Sequence, residues 1–284
     1  MPENFQFASQ GAAISAHIYK PDVIEGELPA VVLCHGFCGV KELLFPAFAD
    51  AFAKAGFVAL TFDYRGFGES EGEVGRLVPR LQIEDIHAAV AALASSDFVD
   101  AARIGLWGSS YGGANAIVAA TETADIKAVC VQVTFGDGER VVTGDLSDDE
   151  KTKLFASLEK MQARKDSGKE MWLPLSKVLS DEQSQAFYQR YCEAHPALKT
   201  KIPFLTTQET IGHKPEAYLA DLNAPLHITV ATNDGVNPPA ESYSLFEKAK
   251  EPKALLEVEA THYDVYEGEA FEQTVSAQIE WFKR

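Results

Sequence analysis

The chain has 284 residues, of which 46% are hydrophobic and 24% are charged, a composition typical of a folded globular protein. Its 42 acidic and 25 basic residues give a formal net charge of −17, and no basic run offers a patch for nucleic acid. No apolar run reaches the ~18 residues of a membrane helix, and the start MPENFQFASQG does not resemble a secretory signal. We therefore expect a cytoplasmic protein with no nucleic-acid or membrane partner, and a homodimer is compatible with the sequence.

The four cysteines (Cys34, Cys38, Cys130 and Cys192) are scattered along the chain. Three residues separate Cys34 from Cys38, but no second pair of ligands follows at the spacing of a zinc site. The pattern favours free, buried thiols. We expect neither a metal nor an organic cofactor.

Strands alternate with helices along most of the chain, which is typical of a mostly parallel sheet covered on both faces. Continuous apolar runs such as PAVVLC at 29–34 and FVALTF at 57–62 predict buried central strands. In chain order we predict one or two edge strands within 4–19, a strand at 29–34, a helix at 43–55 capped by Gly56, a strand at 57–62, a helix at 81–94, a strand at 103–107, a helix at 111–120, strands at 127–133, 226–231 and 254–258, and a last helix that includes 271–282.

The segment 135–223 interrupts this alternation and is too long for a simple loop in a compact domain. Two apparent capping boxes, Ser147-x-x-Glu150 and Ser180-x-x-Gln183, each predict the start of a helix. The first of these helices would have an apolar face made of Leu154, Phe155, Leu158 and Met161. We predict a helical insertion that lies over the sheet, and a separate small domain is the alternative.

The sequence Gly108-Ser109-Ser110-Tyr111-Gly112 follows a predicted strand and begins a predicted helix. In the pattern G-x-S-x-G the chain turns sharply from strand to helix, so that the serine is exposed at the carboxyl edge of the sheet. The helix N-terminus there favours developing negative charge. Ser110 is therefore the predicted nucleophile, and an ordinary turn made of small residues is the alternative.

A serine hydroxyl needs a base within hydrogen-bond reach, and the base needs an orienting acid. Asp234 follows the strand 226–231, and His262 follows the strand 254–258. Both residues lie at the carboxyl ends of strands, where ligands bind in open α/β sheets. We predict a Ser110, Asp234 and His262 triad, with Asp264 as the rival acid.

The loop His35-Gly36-Phe37, directly after another strand, supplies a further part of the predicted site. An oxyanion needs two preorganised donors that point to one place. The backbone N–H groups of Phe37 and Tyr111 are the predicted donors. His35 is expected to brace its own loop by a hydrogen bond rather than to act as a base.

These motifs resemble those of the α/β-hydrolases. The matching residues are HGF at 35–37, DYRGFGES at 63–70, GSSYGG at 108–113, Asp234 and THYD at 261–264. Within the superfamily they resemble S15-type dipeptidyl-peptidase-like and feruloyl-esterase-like hydrolases, as well as small relatives that include polyketide acyltransferases. The resemblance implies an α/β-hydrolase fold with a mostly parallel eight-stranded sheet flanked by helices. It also implies a core of residues 1–134 and 224–284 and a helical cap over the active site at 135–223.

The function expected from the triad and the resemblance is that of a serine hydrolase that cleaves small-to-medium carboxylic esters through an acyl-enzyme. A small-molecule ester is the expected partner. An acyltransferase of secondary metabolism with the same triad and a noncatalytic ligand-binding protein on the same scaffold are the alternatives. The residues expected to line the acyl pocket are Phe135, Met161, Trp172, Phe187 and Tyr191.

Overall fold

Ten strands and ten α-helices make up the structure, a computed structural model that describes residues 2–284. The strands are β1 (Glu3–Ser9), β2 (Ala12–Tyr19), β3 (Leu28–Cys34), β4 (Val58–Phe62), β5 (Val99–Ser109), β6 (Ile126–Gln132), β7 (Trp172–Pro174), β8 (Lys201–Pro203), β9 (Leu226–Ala231) and β10 (Lys253–Val258). The helices are α1 (Phe45–Lys54), α2 (Pro79–Ala94), α3 (Tyr111–Thr121), α4 (Gly138–Thr143), α5 (Asp148–Asp166), α6 (Leu175–Val178), α7 (Glu182–Tyr191), α8 (Thr206–Gly212), α9 (Pro239–Lys248) and α10 (Gly268–Phe282). Short 3₁₀ helices span Pro196–Leu198, Pro215–Tyr218 and Asp264–Tyr266.

Eight of the strands form one sheet in the order β1-β2-β4-β3-β5-β6-β9-β10. The pairs β1–β2 and β2–β4 are antiparallel, and the remaining pairs are parallel. This confirms the prediction of a mostly parallel eight-stranded sheet. Every residue of β4 and of β9 is buried, as expected for strands that are covered on both faces.

Helices cover both faces of this sheet. On one face α1 and α10 pack with the inward side chains of the sheet, and the core there includes Phe48, Phe52, Trp107 and Trp281. On the other face α2, α3 and α9 pack against residues such as Val32 and Leu106. The parallel register aligns the carboxyl ends of the strands, so the loops that follow β3, β5, β6, β9 and β10 emerge at the same edge.

Between β6 and β9 the chain forms the five helices α4 to α8 and a two-stranded antiparallel sheet of β7 and β8. The predicted insertion is thus mostly, but not entirely, helical. Ser147 and Glu150 form the predicted capping box at the start of α5. At α7 the prediction was wrong by one residue, because Asp181 caps the helix through a bond from the Ser184 N–H (2.8 Å).

The predicted apolar face of α5 does not pack as expected. Only Leu158 is buried in this 19-residue helix, and Phe155 is exposed. The helix is so rich in charged residues that few apolar side chains are available for packing.

All four cysteines are free thiols, and Cys34, Cys38 and Cys130 are buried. Burial raises the pKa values of these three thiols above their ordinary range. Among residues 2–284, no helix combines the length and the apolar character that crossing a membrane requires.

Candidate active site

Ser110 lies at the turn between β5 and α3 with a φ of 55° and a ψ of −124°, in the left-handed half of backbone space that L-residues rarely adopt. The residues two positions before and after Ser110 are glycines because the turn is crowded. A Cβ on Gly112 would lie 2.0 Å from the Cys34 carbonyl oxygen, and one on Gly108 would lie 2.5 Å from the Gly112 carbonyl oxygen. Thr134 Oγ1 donates a hydrogen bond to the Ser110 carbonyl (2.8 Å). The G-x-S-x-G pattern is therefore a packing requirement at this edge of the sheet.

Asp234 and His262 meet directly at the same edge. His262 Nδ1 lies 2.8 Å from Asp234 Oδ2, and both side chains are buried. The other oxygen, Asp234 Oδ1, accepts the backbone N–H groups of Val236 and Asn237, each at 2.8 Å. The two backbone N–H groups thus fix the orientation of the carboxylate, and its second oxygen faces the imidazole.

Asp264, the rival acid, has a different role in the structure. Its Oδ2 accepts bonds from the Thr261 N–H (3.2 Å) and the Thr261 hydroxyl (2.6 Å). These bonds brace the turn that carries His262 without contacting the imidazole. Of the two carboxylates, Asp234 has the geometry of an orienting acid.

The hydroxyl of Ser110 accepts a hydrogen bond from a residue that the sequence analysis missed. Asn237 Nδ2 lies 3.3 Å from Ser110 Oγ and 2.7 Å from the Val133 carbonyl oxygen. Ser110 and His262 both line the same cavity. The signal for Asn237 was its position in the turn after β9, three residues beyond Asp234.

The two predicted oxyanion donors lie beside Ser110. Tyr111 is the first residue of α3, so its N–H precedes the helical hydrogen-bond ladder. Phe37 packs its ring 5.6 Å from that of Tyr111, and a Cβ on the adjacent Gly36 would lie 3.2 Å from Ser110 Cβ. Within residues 2–284, neither N–H donates to another protein group. Both are therefore available to a ligand.

His35 braces the loop that carries Phe37. Its Nε2 donates to the Leu43 carbonyl oxygen at 2.9 Å, and its ring stacks on Phe45 with centroids 3.9 Å apart. Burial lowers the pKa of His35 to about 4, so the ring is neutral near pH 7. The contacts agree with the bracing role that the sequence predicts.

A neighbouring loop, residues 63–70, is held by ion pairs, of which the one between Lys41 and Asp63 is fully buried. The ammonium of Lys41, which is fully buried, lies 2.9 Å from Asp63 Oδ2 and 2.7 Å from Glu69 Oε2. Arg65 donates two bonds to Asp85 Oδ1, at 2.7 and 2.9 Å. Arg65 and Asp85 thus form an ion pair, and the loop forms a structural support beside the site.

Ser110 and His262 open into a cavity of about 570 Å³. Much of its far wall comes from the segment between β6 and β9, which contributes Phe135 and Phe187 to the lining. The apolar lining residues from that segment also include Val141, Val142, Leu173, Leu175, Val178, Leu179, Leu198, Ile202, Pro203 and Phe204.

The other three predicted pocket residues lie outside the lining of this cavity. Trp172 stacks with the guanidinium of Arg76, 4.9 Å from its ring centroid. Tyr191 lies one helical turn beyond Phe187 and packs against that ring at 5.2 Å. Met161 is on the mostly exposed helix α5. Their aromatic or apolar character was a poor guide, because such residues also pack the insertion internally.

Comparisons with known proteins agree with the fold. The family model described as "Serine aminopeptidase, S33" matches residues 27–263. An Escherichia coli protein described as "Uncharacterized 31.7 kDa protein in traX-finO intergenic region" is 41% identical over 279 residues, which are 97% of this chain and 96% of that protein. The quorum-quenching protein AidA of Acinetobacter baumannii (strain MDR-ZJ06) is 28% identical over 298 residues, covering 100% and 95% of the two chains.

Among solved structures, that of DcsB in complex with its substrate analogue superposes with a TM-score of 0.87 at 25% identity, covering 100% of this chain and 98% of the other. The family match extends from the strand before the HGF loop to the residue after His262. The α/β-hydrolase resemblance is thereby confirmed. The chain belongs to the serine aminopeptidase S33 family of α/β-hydrolases.

Proposed function

We propose that this protein is a serine hydrolase that cleaves carboxylic esters with small-to-medium acyl groups through an acyl-enzyme. The observation that carries the proposal is the 2.8 Å contact between His262 Nδ1 and Asp234 Oδ2 at the wall of the cavity that Ser110 lines. A histidine held in this way keeps its other nitrogen, Nε2, free to accept a proton. Nucleophile, base and acid then act as one unit.

In the proposed reaction Asp234 keeps the proton of His262 on Nδ1, and Nε2 accepts the proton of Ser110 Oγ. The Ser110 oxygen attacks the ester carbonyl carbon, and the N–H groups of Phe37 and Tyr111 stabilise the oxyanion. The imidazolium returns its proton to the leaving alcohol as the carbon–oxygen bond breaks. Water, deprotonated by His262, then releases the acyl group as a carboxylic acid and restores Ser110.

We also propose that the segment 135–223 acts as a cap and that its apolar side chains hold the acyl group. Residues such as Leu175 and Ile202 are buried and still line the cavity, which supports this role. Apolar walls with a few fixed polar groups are typical of small-molecule sites. A volume of about 570 Å³ suits a small or medium ester.

The test is turnover of p-nitrophenyl esters from acetyl to decanoyl by the wild type and by Ser110→Ala. Amino-acid p-nitroanilides form a second arm, because the family model is named for aminopeptidases. We expect ester turnover to exceed anilide turnover and to fall by at least about 10⁴-fold in the variant. A folded wild type without ester turnover would overturn the proposal.

Acyl transfer would use the same residues and is tested in the same assay. Competing primary alcohols are added, and the products are separated and quantified. Free acid as the main product supports hydrolysis, whereas a predominant new ester would replace the hydrolase proposal with an acyltransferase.

A further inference from the structure

The helix α7 in the segment between β6 and β9 is joined along one face to the turn that carries His262. Ser184 Oγ lies 3.0 Å from the Tyr263 hydroxyl. The ring of Phe187 stacks on that of Tyr263 with centroids 4.3 Å apart and an angle of 10°. One helical turn further on, Arg190 makes two bonds to Glu267, at 2.6 and 2.8 Å. These contacts fix the helix relative to the turn.

Gln183 on the same helix contacts both loops that carry the predicted base and acid. Its Oε1 accepts the backbone N–H of His262 at 3.1 Å and that of Gly235 at 3.3 Å. Its Nε2 donates to the Asn233 carbonyl oxygen at 3.1 Å. One side chain therefore binds the backbone of His262 and the backbone on both sides of Asp234.

Glutamine suits this position for a chemical reason. An amide offers an acceptor with two lone pairs and a donor about 2 Å apart, and here the acceptor meets two N–H groups while the donor meets one carbonyl. The loops are also joined closer to the strands, where the Asn233 N–H donates to the Ala260 carbonyl oxygen at 3.0 Å. Gln183 adds a second connection at the level of the acid and the base.

We infer that Gln183 is a positioning residue, which holds the loops of Asp234 and His262 in register for proton transfer from Ser110. The inference rests on the proposed function and goes beyond it, because it gives a side chain of the cap a role in the chemistry. Gln183 is not among the residues that line the cavity. Its loss should therefore reduce kcat and leave KM nearly unchanged, since small displacements of reacting groups are costly.

The test compares Gln183→Met, which keeps the length of the side chain and removes its amide, with Gln189→Met. Gln189 lies on the same helix and is exposed, so it is a matched control. We expect Gln183→Met to lose at least about tenfold in kcat and in the rate of fluorophosphonate labelling of Ser110. The control should stay within about twofold of the wild type, and both variants should keep the wild-type Tm within a few degrees.

A second variant decides the matter if Gln183→Met does not fold. A Cβ on Gly235 would lie 2.9 Å from Gln183 Nε2, so Gly235→Ala displaces the amide from the opposite side. We expect the same loss of kcat and of labelling rate, and, where Gln183→Met folds, no further loss in the double variant. A folded variant with wild-type kcat and labelling rate would overturn the inference. A wild type that neither labels nor turns over esters would instead remove the proposed function.

Discussion

Asp234 uses its two oxygens for two different tasks. Oδ1 accepts hydrogen bonds from two backbone N–H groups, and Oδ2 accepts a hydrogen bond from His262 Nδ1. An asparagine at this position would satisfy the backbone donors with its oxygen and would place its NH₂ group against Nδ1. The imidazole would then carry its proton on Nε2 and could not accept the proton of Ser110.

We therefore predict that Asp234→Asn lowers kcat by about 10⁴-fold, whereas Asp264→Asn lowers it by less than about tenfold. Asp264 is a matched control, because it lies two residues from His262 and its carboxylate accepts hydrogen bonds from Thr261 rather than from the imidazole. Steady-state kinetics with a p-nitrophenyl ester measure both effects. The reverse order of the two losses would mean that Asp264 is the acid.

At the residue scale the sequence predicts the groups whose position follows from strand ends. Ser110, Asp234 and His262 follow the ends of strands β5, β9 and β10 by one, three and four residues, and parallel strands bring their carboxyl ends together. Asn237 and Gln183 could not be predicted in this way. The contact of Gln183 depends on where α7 packs, and its apparent place in a capping box suggested a purely local role.

At the scale of elements, the chain between β6 and β9 contributes much of the wall of the cavity. Its short helix α6 presents Val178, which is partly buried, to the cavity, whereas α5 lies outside it. The sequence predicts long apolar strands and amphipathic helices well, because their periodicity is strong. The three-residue strands β7 and β8 are too short to show an alternating hydrophobic pattern, and Leu245 is the only buried apolar residue of α9. The sequence pattern therefore did not predict these elements.

We predict that Val178→Phe shifts ester preference towards shorter acyl groups. The larger ring would occupy part of the cavity that the acyl group needs, so KM should rise for octanoyl and decanoyl esters while acetyl ester turnover stays within about twofold. Met161→Phe on α5 is the control and should leave the profile unchanged. An unaltered chain-length profile in the Val178 variant would show that α6 does not contact the acyl group.

At the scale of the whole molecule, three buried histidines make the stability of the fold depend on pH. His35, His213 and His227 each have a ring nitrogen without a hydrogen-bond partner among residues 2–284. Burial lowers the pKa of each to about 4, from about 6.5 in an unfolded chain. Between these values the unfolded state binds more protons, so folding is destabilised as the pH falls from about 6.5 towards 4.

We predict that the free energy of unfolding, measured with urea, decreases between pH 7 and pH 4.5, and that His227→Phe makes this decrease smaller. His227 packs against Trp281 near the start of β9, far along the strand from Asp234, so the variant spares the site. Once the pH is below both the folded-state and the unfolded-state pKa, each histidine has lowered the free energy of unfolding by about 3 kcal/mol. A variant with the same pH dependence as the wild type would contradict the assignment for His227.

The carboxylate of Glu216 acts in a separate, lower pH range. Hydrogen bonds from Arg140 hold its pKa at about 2, so its contribution is present above the ordinary pKa of 4.5 and is lost as the pH falls towards 2. The decrease in the free energy of unfolding that the histidines cause can therefore be measured at pH values at which folded Glu216 is still ionised.

Covalent labelling tests whether Ser110 is an activated nucleophile, and it needs no knowledge of the natural substrate. Wild type and Ser110→Ala are incubated with a fluorophosphonate and examined by intact mass. We predict one adduct on the wild type and none on the variant. An adduct of equal yield on both proteins, or none on folded wild type, would contradict it.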